Sequence, residues 1–195
     1  MNNLERKQAT SVHFELYDEQ KSSFQKYKSL TTGEKGFFFF LLYETITSLF
    51  GNFPGAAGYF FRKKFYRLLL KKVGRGVIWG RNLTLRHPHK IEIEDNVAIN
   101  DLAVLDAYGG ETSGIKIGEG TLVSRNTVLN SKGGSIEIGK RTNLGMMSII
   151  FSRDCKVRVG NDVLMSAYAI SWVEAAIPWI GQTFQSPCKG QNARA

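Results

Sequence analysis

Apolar residues in this chain follow three spacings in succession, and each spacing predicts a different element. Residues 1–34 show no sustained period. Phe14, Leu16, Phe24 and Tyr27 are scattered among Lys, Gln and Ser, which predicts a weak helix or a partly ordered polar arm. From Gly36 the pattern tightens. Phe37 to Leu42 is a continuous apolar run, followed by Tyr43, Ile46, Leu49 and Phe50 at helical spacing. Gly51, Pro54, Gly55 and Gly58 predict a break. Tyr59 to Val73 then predicts a second helix, with Phe61, Phe65, Leu68 and Leu69 along one side. Residues 35–72 thus form an apolar and basic, amphipathic helical region. Its apolar run is too short for a membrane span, which takes about 20 apolar residues.

From Val73 the period becomes six. The units begin at Ile93 and Ile99, Ile117 and Val123, Ile138 and Leu144, Val159 and Met165, with a degenerate pair at Val73 and Trp79. An aliphatic residue stands first in each, a Gly or small polar residue mostly second, and a small or β-branched residue fifth. A longer period encloses the short one. Ile117, Ile138 and Val159 are 21 residues apart, and Ile93 precedes Ile117 by 24, the surplus falling at Gly109–Gly114. Each coil is therefore two six-residue sides and one longer side, wound into a triangular prism over residues 73–170. No coil buries its own column; stacking creates the core. A small second residue is expected to ease the turn between faces. The fold class is mainly β: a parallel β-helix of hexapeptide repeats behind a helical N-terminal region. Residues 171–195 abandon the pattern and form an aberrant tail.

Charge adds a location to this picture. The net charge is +9, and six basic residues with no acid lie between Ala56 and Lys72. An apolar stripe flanked by cations suits an interfacial membrane helix, so Phe61, Arg62, Lys63, Lys64, Phe65 and Arg67 are the expected contacts with an anionic membrane surface. The same helix also suits a cap over the open end of the prism. Without stacking aromatics among its cations it does not suit nucleic acid. Cys155 and Cys188 form no motif pair, so neither a disulfide framework nor a zinc site is expected. The first residues lack the apolar core of a secretory signal. A cytoplasmic protein, peripheral on the inner face of the membrane, is the expectation.

The stretches Ile117-Gly-Glu-Gly-Thr-Leu-Val-Ser-Arg-Asn-Thr and Ile138-Gly-Lys-Arg-Thr-Asn-Leu-Gly resemble the hexapeptide-repeat acyltransferases. The region from Phe60-Phe-Arg-Lys-Lys-Phe-Tyr to Gly80-Arg-Asn-Leu-Thr-Leu-Arg-His-Pro-His resembles their surface-polysaccharide O-acetyltransferase branch. That resemblance implies a left-handed helix, a homotrimer, and acetyl-CoA as co-substrate in the groove between prisms. It also implies a sugar or polysaccharide-precursor hydroxyl as acceptor, and a histidine general base with donors for the oxyanion.

The implied histidine follows the last coil, in a loop of the form G-G-G-x-H before D-R-T-D-I-P. Here that place reads Ile170-Ser-Trp-Val-Glu-Ala-Ala-Ile-Pro-Trp-Ile-Gly, and no histidine follows His89. Back-translation of Ser171 to Lys189 in the neighbouring frame permits ILGGGSHTLDRTDIPVTVQG. In that frame the Trp172–Val173 junction must give Gly and the Trp179–Ile180 junction must give Asp. Compensating frame shifts in a C-terminally truncated acyltransferase are the expected explanation, leaving a product that is inactive and poorly soluble at its open end. A non-catalytic, membrane-associated β-helix scaffold or binding module is the alternative.

Few chemical candidates remain. Tyr168, on the last intact coil, is the one residue expected to line a substrate groove, while catalytic and coenzyme-binding residues are unassigned. His87 and His89 flank Pro88 without an evident third metal ligand and are expected to be solvated. Asp106, Glu111 and Asp154 fall on loop sides and are expected in solvent. Asn126 and Asn143 are expected to serve turns, and Met146 and Met147 to pack or to contact a neighbouring prism.

Overall fold

The computed structural model describes residues 16–109, 114–153 and 155–174. Helices α1 (Ser23–Thr32), α2 (Phe37–Phe50) and α3 (Gly55–Phe65) come first, the last running into a 3-10 turn at Tyr66–Leu68. Short parallel strands then wind into a β-solenoid of five coils. The first face holds β1 (Lys72–Val73), β4 (Ile91–Ile93), β7 (Gly114–Ile117), β10 (Ser135–Ile138) and β13 (Lys156–Val159). The second holds β2 (Ile78–Trp79), β5 (Ala98–Ile99), β8 (Leu122–Val123), β11 (Asn143–Leu144) and β14 (Leu164–Met165). The third holds β3 (Thr84–Arg86), β6 (Val104–Asp106), β9 (Val128–Lys132), β12 (Ile149–Arg153) and β15 (Ile170–Glu174).

The six-residue grammar has a physical reading at each position. First-position side chains stack in register: Ile93 over Ile117 and Ile138 on one face, Ile99 over Val123 and Leu144 on the next. All six are buried, and burying one such side chain stabilises by about 1.5–3 kcal/mol. The third face adds Leu85, Leu105, Leu129 and Ile150, also buried. Fifth positions point inward, as expected. Where they are polar, the hydroxyl donates to the coil above: Thr121 to the Gly139 carbonyl at 2.7 Å, Thr142 to that of Gly160 at 2.8 Å. These bonds let polar side chains sit inside without an unmet donor.

The second position works differently from expectation. Gly118 and Gly139 have ordinary backbone angles. They are small because coils touch there: a Cβ on Gly118 would meet Gly139 backbone at 2.6 Å, and one on Gly139 would meet the Gly160 carbonyl at 2.3 Å. The turn itself falls at the fourth position. From Gly76 and Asn82 to Asp162 and Tyr168, fourth residues have positive φ, which aims their N–H groups at the coil below. Asn96 donates to the Arg75 carbonyl at 2.8 Å and Met147 to that of Arg125 at 3.0 Å.

The helices close the lower end of the prism. Tyr43, Ile46, Tyr66, Leu69 and Leu70 join the solenoid column in one core with Val77, Trp79 and Leu85. Tyr66 meets Trp79 edge to face at 5.3 Å. Helix α1, with a Ser22–Gln25 capping box, holds Phe24 and Tyr27 against Phe40 of α2. Of the expected chain breakers, Gly55 and Gly58 lie inside α3. Gly58 is there for space, since a Cβ would lie 1.8 Å from the Phe53 carbonyl oxygen.

At the other end, β15 pairs with β12 from Ile149↔Ile170 to Arg153↔Glu174. The prism therefore continues four residues beyond Ile170, into the expected tail; residues 175–195 lie outside the described set. Cys155 is buried between β12 and β13. Cys188 lies outside the described residues.

Candidate functional site

The solenoid presents surfaces of different chemistry. Outward residues of the first face form an in-register column of alternating sign: Lys72, Glu92, Lys116, Glu137, Arg158. A groove of about 370 Å³ crosses this face, lined by Lys71, His89, Lys90, Glu92, Lys116 and Glu137. Several of its charges are paired, Lys71 with Glu92 at 2.7 Å, Lys116 with Glu94 at 3.3 Å and Glu137 with Lys156 at 2.6 Å, while Lys90 donates to the Gly109 carbonyl.

His87 and His89 are not solvated loop residues, as the sequence suggests, but parts of the seam between helices and solenoid. His87 is buried with φ 51°. Its backbone N–H donates to the Thr31 carbonyl at 2.8 Å, and Nε2 lies 3.0 Å from the Ser29 carbonyl oxygen. That acceptor requires the proton on Nε2, leaving Nδ1 buried without a partner. Burial, then the Lys90 charge, pushes the His87 imidazole down to about 4. His89 packs edge-on to Phe39 at 5.9 Å and is pushed down to about 4, chiefly by burial and then by Lys35. Both rings are neutral at pH 7. Among the described residues no group of three or more His, Cys, Asp or Glu is arranged to hold a metal ion.

Asp106 also departs from expectation. It is buried on the third face, where burial raises its carboxyl above the ordinary range against the opposing Arg86 charge. Its Oδ1 accepts from the Tyr108 N–H at 3.1 Å. Register places it below Asn130, whose Oδ1 is buried without a partner. Asn126 serves a turn, at φ 57°. Asn143 does not; it lies within β11. Glu111 and Asp154 lie outside the described residues.

Tyr168 occupies the corner between the second and third faces, at φ 61°, with its N–H on the Met146 carbonyl at 2.9 Å. It is 72% exposed. Leu102, Asn126 and Met147 take the same corner position on the coils below. Beside them, the first outward residues of the third face are Val104, Val128, Ile149 and Ile170, in register. The apolar character grows upward: Val104 and Val128 are half-buried, whereas Ile170 is 71% exposed. Met146, Met147 and Leu164 are exposed around them. Tyr168 thus stands at the top of an apolar column running up the outside of the prism.

The expected membrane contacts divide. Arg62 is 3% exposed and points inward, donating to the carbonyls of Phe53 at 2.8 Å, Phe50 at 3.3 Å and Trp79 at 3.3 Å. It is corrected from a surface cation to a tie between α2, α3 and the first coil. Phe61 and Phe65 are half-buried, with Phe65 stacked on Phe50 at 4.6 Å. That stripe faces the protein because the last turn of α2 needs an apolar floor. Lys63 is half-exposed, and Lys64 and Arg67 are in solvent.

No family model and no curated protein matches the chain. Solved structures of similar fold include a hexapeptide-repeat acetyltransferase from Vibrio cholerae O1 biovar eltor, complexed with acetyl coenzyme A. It is 15% identical, with a TM-score of 0.43, over 66% of this chain and 82% of that one. AntD, an N-acyltransferase from Bacillus cereus complexed with dTDP and 3-hydroxybutyryl-CoA, is 21% identical, with a TM-score of 0.37. That match covers 58% of this chain and 81% of AntD. At these identities the likeness is one of fold.

Proposed function

We propose that this solenoid is the scaffold of an acyltransferase that moves an acetyl group from acetyl-CoA to the hydroxyl of a sugar or polysaccharide precursor. The observation that carries this reading is the apolar column of Met146, Met147, Ile149, Tyr168 and Ile170 on the second–third corner. An exposed apolar column of this kind is an interaction surface. In a homotrimer it faces a neighbouring prism, and the cleft between the two takes the pantetheine arm of coenzyme A with Tyr168 on its wall.

The reaction removes a proton from the acceptor hydroxyl, forms a C–O bond at the thioester carbonyl, and expels the thiolate. His87 and His89 belong to the first coil and the seam below it, at the opposite end from Tyr168. The resemblance implies a different base, a histidine that the neighbouring frame permits in the slot of Ile177. The inward column runs Leu85, Leu105, Leu129, Ile150 and then meets Ser171, a polar residue where the neighbouring frame permits an aliphatic one.

Frame-corrected protein, assayed for acetyl-CoA-dependent acetylation of sugar hydroxyls beside its His→Ala variant, tests this directly. Turnover lost in the variant is expected. No turnover in either, with acetyl-CoA also failing to bind, would overturn the reading. The absence of any histidine after His89 favours a second reading, a non-catalytic solenoid scaffold. DNA sequence across codons 168–192 showing one intact frame, also intact in close relatives, would favour it.

A further inference from the structure

The helical cap carries a surface that acyl transfer leaves unused. Helix α2 is apolar on both sides. Phe40, Tyr43 and Ile46 face inward and are buried. Phe38, Leu41, Leu42, Thr45 and Leu49 lie along the opposite side and are exposed, Phe38 at 86%. No charged residue interrupts that outer side; the helix's one ionisable acid, Glu44, accepts from the Tyr27 hydroxyl at 2.7 Å. Exposed Phe53 and Phe60 follow, in the connection to α3 and on α3 itself. An amphipathic surface helix normally turns a polar face to water, so an apolar outer face implies a further covering.

Charge identifies the covering. From Lys35 to Ile91 the chain has eleven Lys or Arg and one acid, Glu44. That imbalance exceeds the net charge of the whole chain, +9, and sits in the cap and first coil. Lys71, Arg75, Arg81 and Arg86 pair with Glu92, Asp95, Asp101 and Asp106, and Arg62 is buried, so the cations of α3 and the turn after it are what the cap turns outward. Lys64 and Arg67 are exposed and Lys63 half-exposed, its Nζ resting over the Tyr59 ring at 5.7 Å. A protein partner with an apolar groove would explain the face of α2, but not the cluster of outward cations Lys63, Lys64 and Arg67 on the same cap.

We propose that the outer face of α2, together with the cations of α3 and of the 3-10 turn after it, seats the base of the solenoid on an anionic lipid surface. Phe38, Leu41, Leu42 and Leu49 enter the headgroup–acyl boundary while Lys63, Lys64 and Arg67 meet lipid phosphates. Helix α2 lies in the interface, since no described helix is long and apolar enough to cross a membrane. The prism then stands away from the bilayer, with Tyr168 at its far end.

Flotation of the full chain with vesicles of phosphatidylcholine, alone or mixed with phosphatidylglycerol, tests the proposal. Binding to the mixed vesicles that weakens with added salt is expected. Reversing Lys63, Lys64 and Arg67 to Glu should lower partitioning at least about tenfold. Changing Phe38, Leu41 and Leu49 to Ser should abolish it, with circular dichroism unchanged. In a separate Phe38→Trp variant, tryptophan emission should shift to the blue on mixed vesicles. No flotation, equal flotation on neutral vesicles, or unchanged flotation of the Ser variant would each overturn the proposal. A dimer in solution that the Ser variant dissociates, without vesicle binding, would assign the face to a second copy of the chain.

Discussion

At the fourth position of each repeat unit, backbone conformation decides what the side chain costs. Residues with Cβ atoms seldom adopt positive φ, yet Leu102, Arg141, Met147 and Tyr168 do so here. Asn126 tolerates the conformation better than a β-branched residue would. Asn126→Val should destabilise by about 1–2 kcal/mol, and Asn126→Gly by less than ~0.5 kcal/mol, read by urea denaturation. His87 links stability to pH. Its folded value is about 4 against an ordinary 6.5, so in that window the unfolded chain binds more protons. Stability is complete above 6.5 and is lost as pH falls towards 4, on the order of 3 kcal/mol for a fully buried ring. Thermal melts of the wild type should therefore fall more steeply between pH 6.5 and 4 than those of His87→Gln. The sequence placed these histidines in a loop but not in a seam, because α1 meets them across 58 residues of chain.

Arg62 governs how the helices attach to the solenoid. Three carbonyls converge on its guanidinium, one of them, that of Phe50, at the C-terminal end of α2, where a cation also meets the negative end of the helix dipole. Removing the side chain leaves buried acceptors unmet, each at about 1–3 kcal/mol. Arg62→Ala should cost roughly 3 kcal/mol by denaturant titration, and Lys64→Ala less than ~0.5 kcal/mol. In sequence Arg62, Lys63 and Lys64 are one cluster. Only the packing of α3 beneath α2 separates the inward cation from its neighbours. The apolar faces of α2 are likewise indistinguishable by period, because both are apolar; docking on the first coil chose which is buried.

The prism as a whole separates its chemistry by side. Charges alternate up the first face, continue at the neighbouring corner through Arg75–Asp95 and Arg141–Asp162, and give way to apolar residues at the second–third corner. Matched charge keeps a face in water, while an apolar column invites a neighbouring prism. In the proposed homotrimer, Ile149→Asp is expected to shift the assembly to monomers in sedimentation velocity. Its melting temperature at the monomer level should be unchanged, because the side chain points outward. An unaltered sedimentation profile would remove this corner from the interface.

The repeat was legible because it is local. An aliphatic residue every six positions and a coil every 21 specify which residues stack, whatever lies elsewhere, and every first-position column follows that register. Val159 and Met165, the last members of their columns among the described residues, still pack against that core. Features that arise where distant segments meet were decided by tertiary structure alone. Arg62 turns inward because three carbonyls await it, Asp106 is buried by the packing around it, and the second-position glycines are small because another coil passes within contact distance. Sequence period counts what recurs along the chain; contact between segments depends on where folding brings them.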